Sequence, residues 1–414
     1  MAKPKLFLVV RAFRSKNFRL FFVGQGLSLV GTWMQQIAVG WLVYRMTGSA
    51  FILGLVGFAG QAPAILLTPI AGVMADRLNR HRLLILLQVL SMLQALGLAF
   101  LTLSGRVTIL HLFVLSLILG VLSSFEVPTR QSFLLDTLER REDLGNAIAL
   151  NSFLFNTARL LGPSVAGLVI AVAGEGLCFL INGVSFFAVI IALLCMRIPR
   201  KEAPSGRLGV LPGLKEGFAY TFRFAPIRYT LLLVALVSLA GMPYLVLMPV
   251  FAKDSLGGGP ETLGFLMGAS GSGALLGALY LASRPSIVGT NRRITGAALT
   301  FGLSLILFSL SRSIVLSLFL MFTTGLSMIA VLASANTAVQ TLAEEDKRGR
   351  VVALYVLSLA GTMPLGSLFA GAAAHHIGAS MTLGLGGTAC ILAAFLFYLK
   401  LPVIREQVQP SHSR

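Results

Sequence analysis

Read for its oily and polar positions, the chain is a succession of long stretches without Lys, Arg, Asp or Glu: 20–44, 46–75, 83–105, 107–125, 176–196, 229–252, 262–283, 294–311, 313–343 and 377–399. Two more complete the series: 144–174, interrupted only by Arg159, and 351–374, which runs into His375 and His376. A helix needs about 20 predominantly apolar residues to cross a bilayer core, and every stretch is close to that length or longer. The strict period-two alternation of an outer-membrane barrel is missing. The pattern predicts an all-α membrane protein with twelve transmembrane helices.

Composition strengthens that reading. The 414 residues are 56% hydrophobic, with a mean hydropathy of +0.87, where soluble domains have about 45–50% apolar residues. The net charge of +18 raises the question of nucleic acid, and its distribution answers it. If residue 1 is cytoplasmic and each helix flips the side, all but five of the 33 Lys and Arg fall on the cytoplasmic side. The five are Arg45, Arg106, Lys253 and Arg312 outside, and Arg159 within a helix. Such asymmetry follows the positive-inside rule, and the excess charge attracts anionic head groups rather than nucleic acid. Both termini are then cytoplasmic, in a multi-pass protein of the cell (inner) membrane. The N-terminal stretch lacks the apolar run of a cleavable signal and suits a short amphipathic helix on the inner surface. Cys178, Cys195 and Cys390 lack metal-ligand spacing and read as packing residues.

The chain also repeats itself. "SLVG" at 28–31 recurs as "SLAG" at 238–241, and Leu53-Gly54 as Leu263-Gly264, both at an offset of 210. Thr137-Leu138, Gly145, Ala149-Leu150, Leu161-Gly162 and Gly167 recur at an offset of 204, ending at Gly371. An even number of crossings per repeat gives two parallel bundles around an axis along the membrane normal, with a substrate path between them. The expected organisation is a cytoplasmic segment 1–17, a six-helix bundle 18–197, a cytoplasmic linker 198–225, a second six-helix bundle 226–401 and a cytoplasmic tail 402–414.

One turn is far more charged than its surroundings. "GVMADRLNRHR", Gly72 to Arg82, sets one acid, three arginines and a histidine between two apolar stretches. It resembles the loop signature of the major facilitator superfamily, G-x-x-x-D-R-x-x-R-[RK], through Gly72, Asp76, Arg77 and Arg80; His81 stands where Lys or Arg is usual. The resemblance spans the whole chain and implies that Asp76 and its arginines form a conformational latch between the bundles. The corresponding turn of the second half keeps Gly277 and basic residues but no acid. A second stretch, "AIALNSFLFNTARLLGPSVAG", resembles the family's exporter signature G-x8-G-x3-G-P-x2-G-G. Ala149, Ala158, Gly162, Pro163, Ala166 and Gly167 fall at that spacing, with Ala at three of the Gly positions. Small residues let helices approach closely, and Pro bends a helix, so this helix can seal one side of a cavity. Further segments, among them "FEVPTRQSFLLDTL" and "WLVYRMTGSAFILGLVGF", resemble the enterobactin-exporter and macrolide-efflux branch. That likeness implies proton-coupled antiport of small amphiphilic compounds of drug, antibiotic or siderophore type, by a protein that works as a monomer.

Ionisable side chains within a bilayer are functional candidates by default. Glu126, with Arg130 one turn away, and Arg159 are the candidates for proton coupling, and Glu126–Arg130 as a purely structural pair is the alternative. Gln25, Ser28, Thr32 and Gln36, with Trp33, form a polar stripe at helical spacing and are candidates for the substrate cavity. Asn151, Asn156, Tyr244 and Asn336 are candidates to complete it, unless they serve as helix–helix contacts. No catalytic motif, metal spacing or nucleotide loop appears, so the chain reads as a non-enzyme without cofactor. A lysophospholipid mover between leaflets and a transport-silent receptor or assembly protein are the alternative functions.

Overall fold

The structure, a computed structural model, describes residues 11–198, 219–283, 289–345 and 347–408; the side chains at 69, 72, 73, 75–77, 282, 405, 406 and 408 are not among those described. The expected N-terminal surface helix and most of the 198–225 linker lie outside these residues. So do the centre of the second half's basic turn and the tail beyond 408. Among the described residues the fold is helical, without strands. In chain order the long helices are α1 Lys16–Thr47, α2 Ala50–Arg77, α3 Arg80–Leu103, α4 Ile109–Phe133, α5 Leu144–Ala173 and α6 Glu175–Leu194. They continue as α7 Ala225–Ser255, α8 Pro260–Ala282, α9 Thr290–Leu310, α10 Ile314–Leu342, α11 Arg348–Ile377 and α12 Ala379–Leu399, followed by the short α13 Leu401–Val408.

Among the described residues, eleven helices are long and apolar enough to cross a membrane, against an expected twelve. The remaining long helix is α1, at 32 residues. Its length is ample, but Gln25, Ser28, Thr32, Gln35 and Gln36 dilute its hydropathy. α7 and α11 are not continuous: α7 carries wide turns at Val237–Gly241 and Phe251–Ser255, and α11 is interrupted between Ala360 and Met363. The wide turn at 237–241 is "SLAG", whose twin "SLVG" in α1 stays regular. Pro243 follows it and has no N–H to continue the ladder, so the amide of Met242 reaches back to the carbonyl of Val237 at 3.2 Å.

Polar residues set the ends. Asn79 opens α3 by accepting from the Arg82 amide at 3.1 Å, and Thr108 forms a capping box with His111 at the start of α4, satisfying amides that a helix start leaves unpaired. α5 turns into α6 at Gly174 (φ 78°) and α11 into α12 at Gly378 (φ 84°). These two left-handed turns are 204 residues apart, the offset of the sequence repeat.

The first six helices associate chiefly with one another, α1 on α5 and α6, α2 on α4, α3 on α4 and α6; the second six do likewise, α8 on α10, α9 on α10 and α12. Two long seams join the halves, α2 on α11 and α5 on α8. Each seam closes through a pair of glycines. A Cβ on Gly54 would lie 2.8 Å from the Gly371 Cα, and one on Gly167 would lie 2.9 Å from the Gly264 Cα, so only glycine permits either crossing. Gly54 and Gly264 are one repeat pair, and Gly167 and Gly371 are the other. The internal duplication is thus expressed as two equivalent crossings, both near the end of the molecule opposite the basic turns. That end is called the far end below, and the other the basic end.

The core of the first half includes a buried amide chain that the sequence reading did not single out. Asn182 donates to Gln35 at 2.8 Å, Gln35 to Gln94 at 3.0 Å, and Gln94 to the Leu115 carbonyl at 3.1 Å. Removing the central member leaves two buried amides unpaired. Gln35→Leu is expected to destabilise the protein by about 1 kcal/mol, read as a lowered melting temperature in detergent; an unchanged melt would contradict the assignment.

Candidate functional site

The polar stripe of α1 divides into two parts. Gln25 and Ser28 are buried in the first half, where the Ser28 carbonyl accepts from Thr32 at 2.9 Å. Thr32, Trp33 and Gln36, with Gln35, lie on a cavity of about 290 Å³ between the two halves, just inside the glycine seams. This is near the lower edge of the range for small-molecule sites, about 300–1,000 Å³. Gln61 of α2 and Gln94 of α3 add two more amides, whereas Leu245, Pro249, Met267 and Met363 supply an apolar wall from the second half. The cavity therefore has an amide-rich side and an oily side, and none of its described lining residues is ionisable. Flexible thioethers suit such a wall to guests of varied shape.

The other cavity candidates stand elsewhere. Tyr244 is completely buried in the second half, its hydroxyl 2.9 Å from Ser270 and 3.8 Å from the Met328 sulfur, which makes it a helix–helix contact. Asn156 donates to the Ser152 carbonyl at 2.8 Å and Asn336 accepts from Gln340 at 3.0 Å. Neither these two nor Asn151 is part of the cavity wall.

Of the three membrane ionisable candidates, two form a pair and the third stands apart. Arg130 donates to Glu126 at 2.8 Å, and both side chains are largely buried. Ser123, one turn from Glu126 on α4, is part of the cavity wall, so the pair lies on the next turn toward the basic end. Arg159 is not part of this pair. Its guanidinium lies 5.8 Å from the Trp33 ring centroid, and one nitrogen is 3.5 Å from the Met328 sulfur.

The exporter-like segment of α5 lies on the seam. Ala158, Gly162, Pro163 and Gly167 are buried; Gly162 faces Val30 and Trp33 of α1, and the Pro163 carbonyl faces Gly264. The far end is also bridged by the Tyr44 hydroxyl, which donates to Asp254, with the Lys253 ammonium 5.6 Å from the Tyr44 ring centroid. Tyr44 and Asp254 are 210 residues apart, so equivalent positions of the two halves meet. That signal was in the repeat, although neither residue forms part of an identical block. Arg45 pairs with the buried Glu175 at 2.8 Å beside this contact.

At the basic end, Gly72, Asp76 and Arg77 close α2, with their side chains outside those described. Arg80 lies 3.5 Å from Asp136 in the same half. His81, the departure from the loop signature, stacks on Phe133 and has Nε2 2.7 Å from the Leu193 carbonyl.

Comparison with known proteins follows the same lines. The family described as transmembrane secretion effector matches residues 10–414. The staphyloferrin A transporter of Staphylococcus aureus is 26% identical over 381 residues, covering 92% of this chain and 95% of the relative. The multidrug efflux pump Tap of Mycolicibacterium fortuitum is 28% identical over 368 residues, covering 87% and 88%. Among solved structures, a bacterial homologue of the human lysosomal transporter Spinster, in an inward-facing and occupied conformation, superposes with a TM-score of 0.75 at 14% identity, over 95% of this chain and 98% of that one. At that identity the likeness concerns the fold.

Proposed function

Since the chain belongs to the transmembrane secretion effector family of major facilitator transporters and is a multi-pass membrane transporter rather than an enzyme, we propose that it exports small amphiphilic compounds of drug, antibiotic or siderophore type by proton-coupled antiport. The observation that carries this reading is the cavity between the two halves, amide-lined on one side and oily on the other, directly inside the glycine seams. Relatives named as siderophore transporter and multidrug pump support the substrate class.

In this reading α1 is the twelfth crossing. Its 32 residues span about 48 Å at 1.5 Å per residue, and its polar stripe is tolerated because it faces protein and cavity. The bundles are 18–197 and 226–401, joined by a cytoplasmic linker 198–225, and the basic end with both termini faces the cytoplasm of the inner membrane. Exchange proceeds by rocking of the halves around the cavity, in a monomer. The seams and the Tyr44–Asp254 bond hold the far side shut in one state; Gly72, Asp76, Arg77 and Arg80 act as the latch of the basic side in the other. Glu126 is the coupling acid: it is held by Arg130 at 2.8 Å one turn from the cavity-lining Ser123, a contact that substrate or rocking can break.

The test uses purified protein in liposomes with an internal pH dye, an imposed proton gradient, and a panel of lipophilic cations, macrolides and catecholate siderophores. A compound is expected to drive proton movement through the wild type, and Glu126→Gln to abolish it while binding persists. Proton movement that survives Glu126→Gln removes the carrier assignment. A fluorescent lysolipid that crosses without a gradient, when no compound moves protons, replaces export by lipid movement.

A further inference from the structure

Arg159 is a cation without a counter-ion among the described residues. It sits midway along α5, half-buried, and makes no ion pair among the described residues; its neighbours are the Trp33 ring at 5.8 Å and the Met328 sulfur at 3.5 Å. Glu126, an acid of the helical interior, is held by Arg130 at 2.8 Å. Of the described acids near the halves' far end, Glu175 and Asp254 are taken by Arg45 and Tyr44, and Glu261, at the start of α8, accepts from the Gly259 amide at 3.2 Å. A guanidinium carries five N–H donors. A thioether is a weak acceptor, and an aromatic face compensates only part of the desolvation of a buried charge. The charge balance of this site is therefore incomplete.

Its position says what would complete it. Trp33, under the guanidinium, is itself part of the cavity wall, and Met328 belongs to α10, so the cation stands where α1 and α5 of one half meet the other half beside the cavity. Among the described residues, none that lines the cavity is ionisable. A guest placed there with its apolar body against Leu245, Met267 and Met363 can direct one acidic group past Trp33 to Arg159, whose planar fork matches a carboxylate or phosphate with two parallel hydrogen bonds.

We infer that Arg159 is the recognition site for an anionic group on the substrate, so that the preferred cargo is an amphiphile bearing a carboxylate or phosphate rather than a lipophilic cation. The inference deepens the export reading and rests on it for the word substrate; the binding site itself does not require transport. Because the guanidinium bridges the two halves through Trp33 and Met328, an anion bound there also exchanges the sulfur contact for stronger ones. Arg159 is then a specificity-determining residue, whereas Glu126 remains the coupling acid.

The test is equilibrium binding to the full chain in detergent, read by energy transfer from tryptophan to dansyl. The chain has two tryptophans, and Trp33 is at the site. Dansylglycine carries one carboxylate, and dansylglycinamide is its neutral match. A charge-assisted pair contributes about tenfold or more in affinity, so the wild type is expected to bind the acid at least about tenfold more tightly than the amide. Arg159→Gln is expected to bring the two within about twofold of each other while amide binding is retained, which shows that the variant is folded. Arg159→Lys is expected to keep part of the preference, since it keeps the charge and loses the fork. Equal binding of acid and amide by the wild type, or an acid preference that survives Arg159→Gln, overturns the inference. Lysophosphatidylglycerol is the competing probe for the source of the anion. If it displaces dansylglycine from the wild type, the site takes a lipid head group; if only citrate does, the site takes a soluble acid. Acid-selective binding without any transport would leave this site standing and remove the export reading, and transport without acid preference would do the reverse.

Discussion

Gly264→Val and Gly167→Val are each expected to force the far end open and to abolish exchange across the membrane. At Gly264 a Cβ would stand 2.8 Å from the Pro163 carbonyl oxygen, and at Gly167 it would stand 2.6 Å from the Pro260 carbonyl oxygen. The obstructing atoms are backbone, which cannot rotate aside as a side chain can. The helices must separate, and α5 and α8 lie in different halves, so the seam itself gives way. Overpacking of this kind costs about 1–3 kcal/mol or more, and each 1.4 kcal/mol is about tenfold in a population, so the far-closed state falls by roughly five- to more than a hundredfold. Spin labels at Arg106 and Arg312, in far-end turns of opposite halves, are expected to report a longer distance as the dominant population. The duplicated architecture sharpens the test: Gly54→Val and Gly371→Val, at the α2–α11 crossing, are expected to give the same change. An unaltered distance distribution in all four variants would refute the seams as the closing element.

Tyr44→Phe is expected to weaken the same closure without touching the seams. The phenolic hydroxyl donates to Asp254 across the two halves, and a hydrogen bond to a charged group contributes about 1.5–3 kcal/mol. Its loss is therefore expected to favour the far-open state by about tenfold to a hundredfold. Lys253, 5.6 Å from the Tyr44 ring centroid, keeps the carboxylate from being wholly uncompensated and places the effect toward the lower figure. Asp254→Asn is expected to act in the same direction. The decisive quantity is the coupling between the two substitutions: if the bond is the cause, the double variant opens the far end no further than the more severe single one. Full additivity of the two shifts would mean that each residue acts through something other than their shared bond.

Much of the architecture was legible before any coordinates. Each long uncharged stretch became a helix, and the repeat offsets of 210 and 204 reappear as matched turns at Gly174 and Gly378 and as matched crossings at Gly54–Gly371 and Gly167–Gly264. Of the residues that resemble the exporter signature, Pro163 and Gly167 lie on the α5–α8 seam, and Gly162 packs on α1 within its own half. The cavity was less legible. Thr32, Trp33 and Gln36 line it, yet so do Gln35 and Gln94, which stand outside the polar stripe of α1, and Tyr244 is buried between helices of the second half. A periodic stripe tells which residues share a face; it does not tell how far along the helix that face leaves solid protein and meets open space. Arg80 shows the same limit, since Asp136 of its own half lies 3.5 Å from it, and no local pattern points to that acid.

The sequence by itself determined the run of long apolar helices, the concentration of basic residues at one end and the internal duplication. Each is a property of a segment or of two aligned segments, since hydropathy and charge act on a helix one at a time. Only the tertiary structure decided which small residues become crossings, which amides face the cavity, and that Arg159 stands beside Trp33 with no acid among the described residues. In a soluble protein an apolar face announces where a helix packs. Here lipid and protein interior are equally apolar, so the facing surfaces are chosen by close fit and interhelical hydrogen bonds, which arise between residues far apart in the chain and exist only once the helices have been rotated and set against one another.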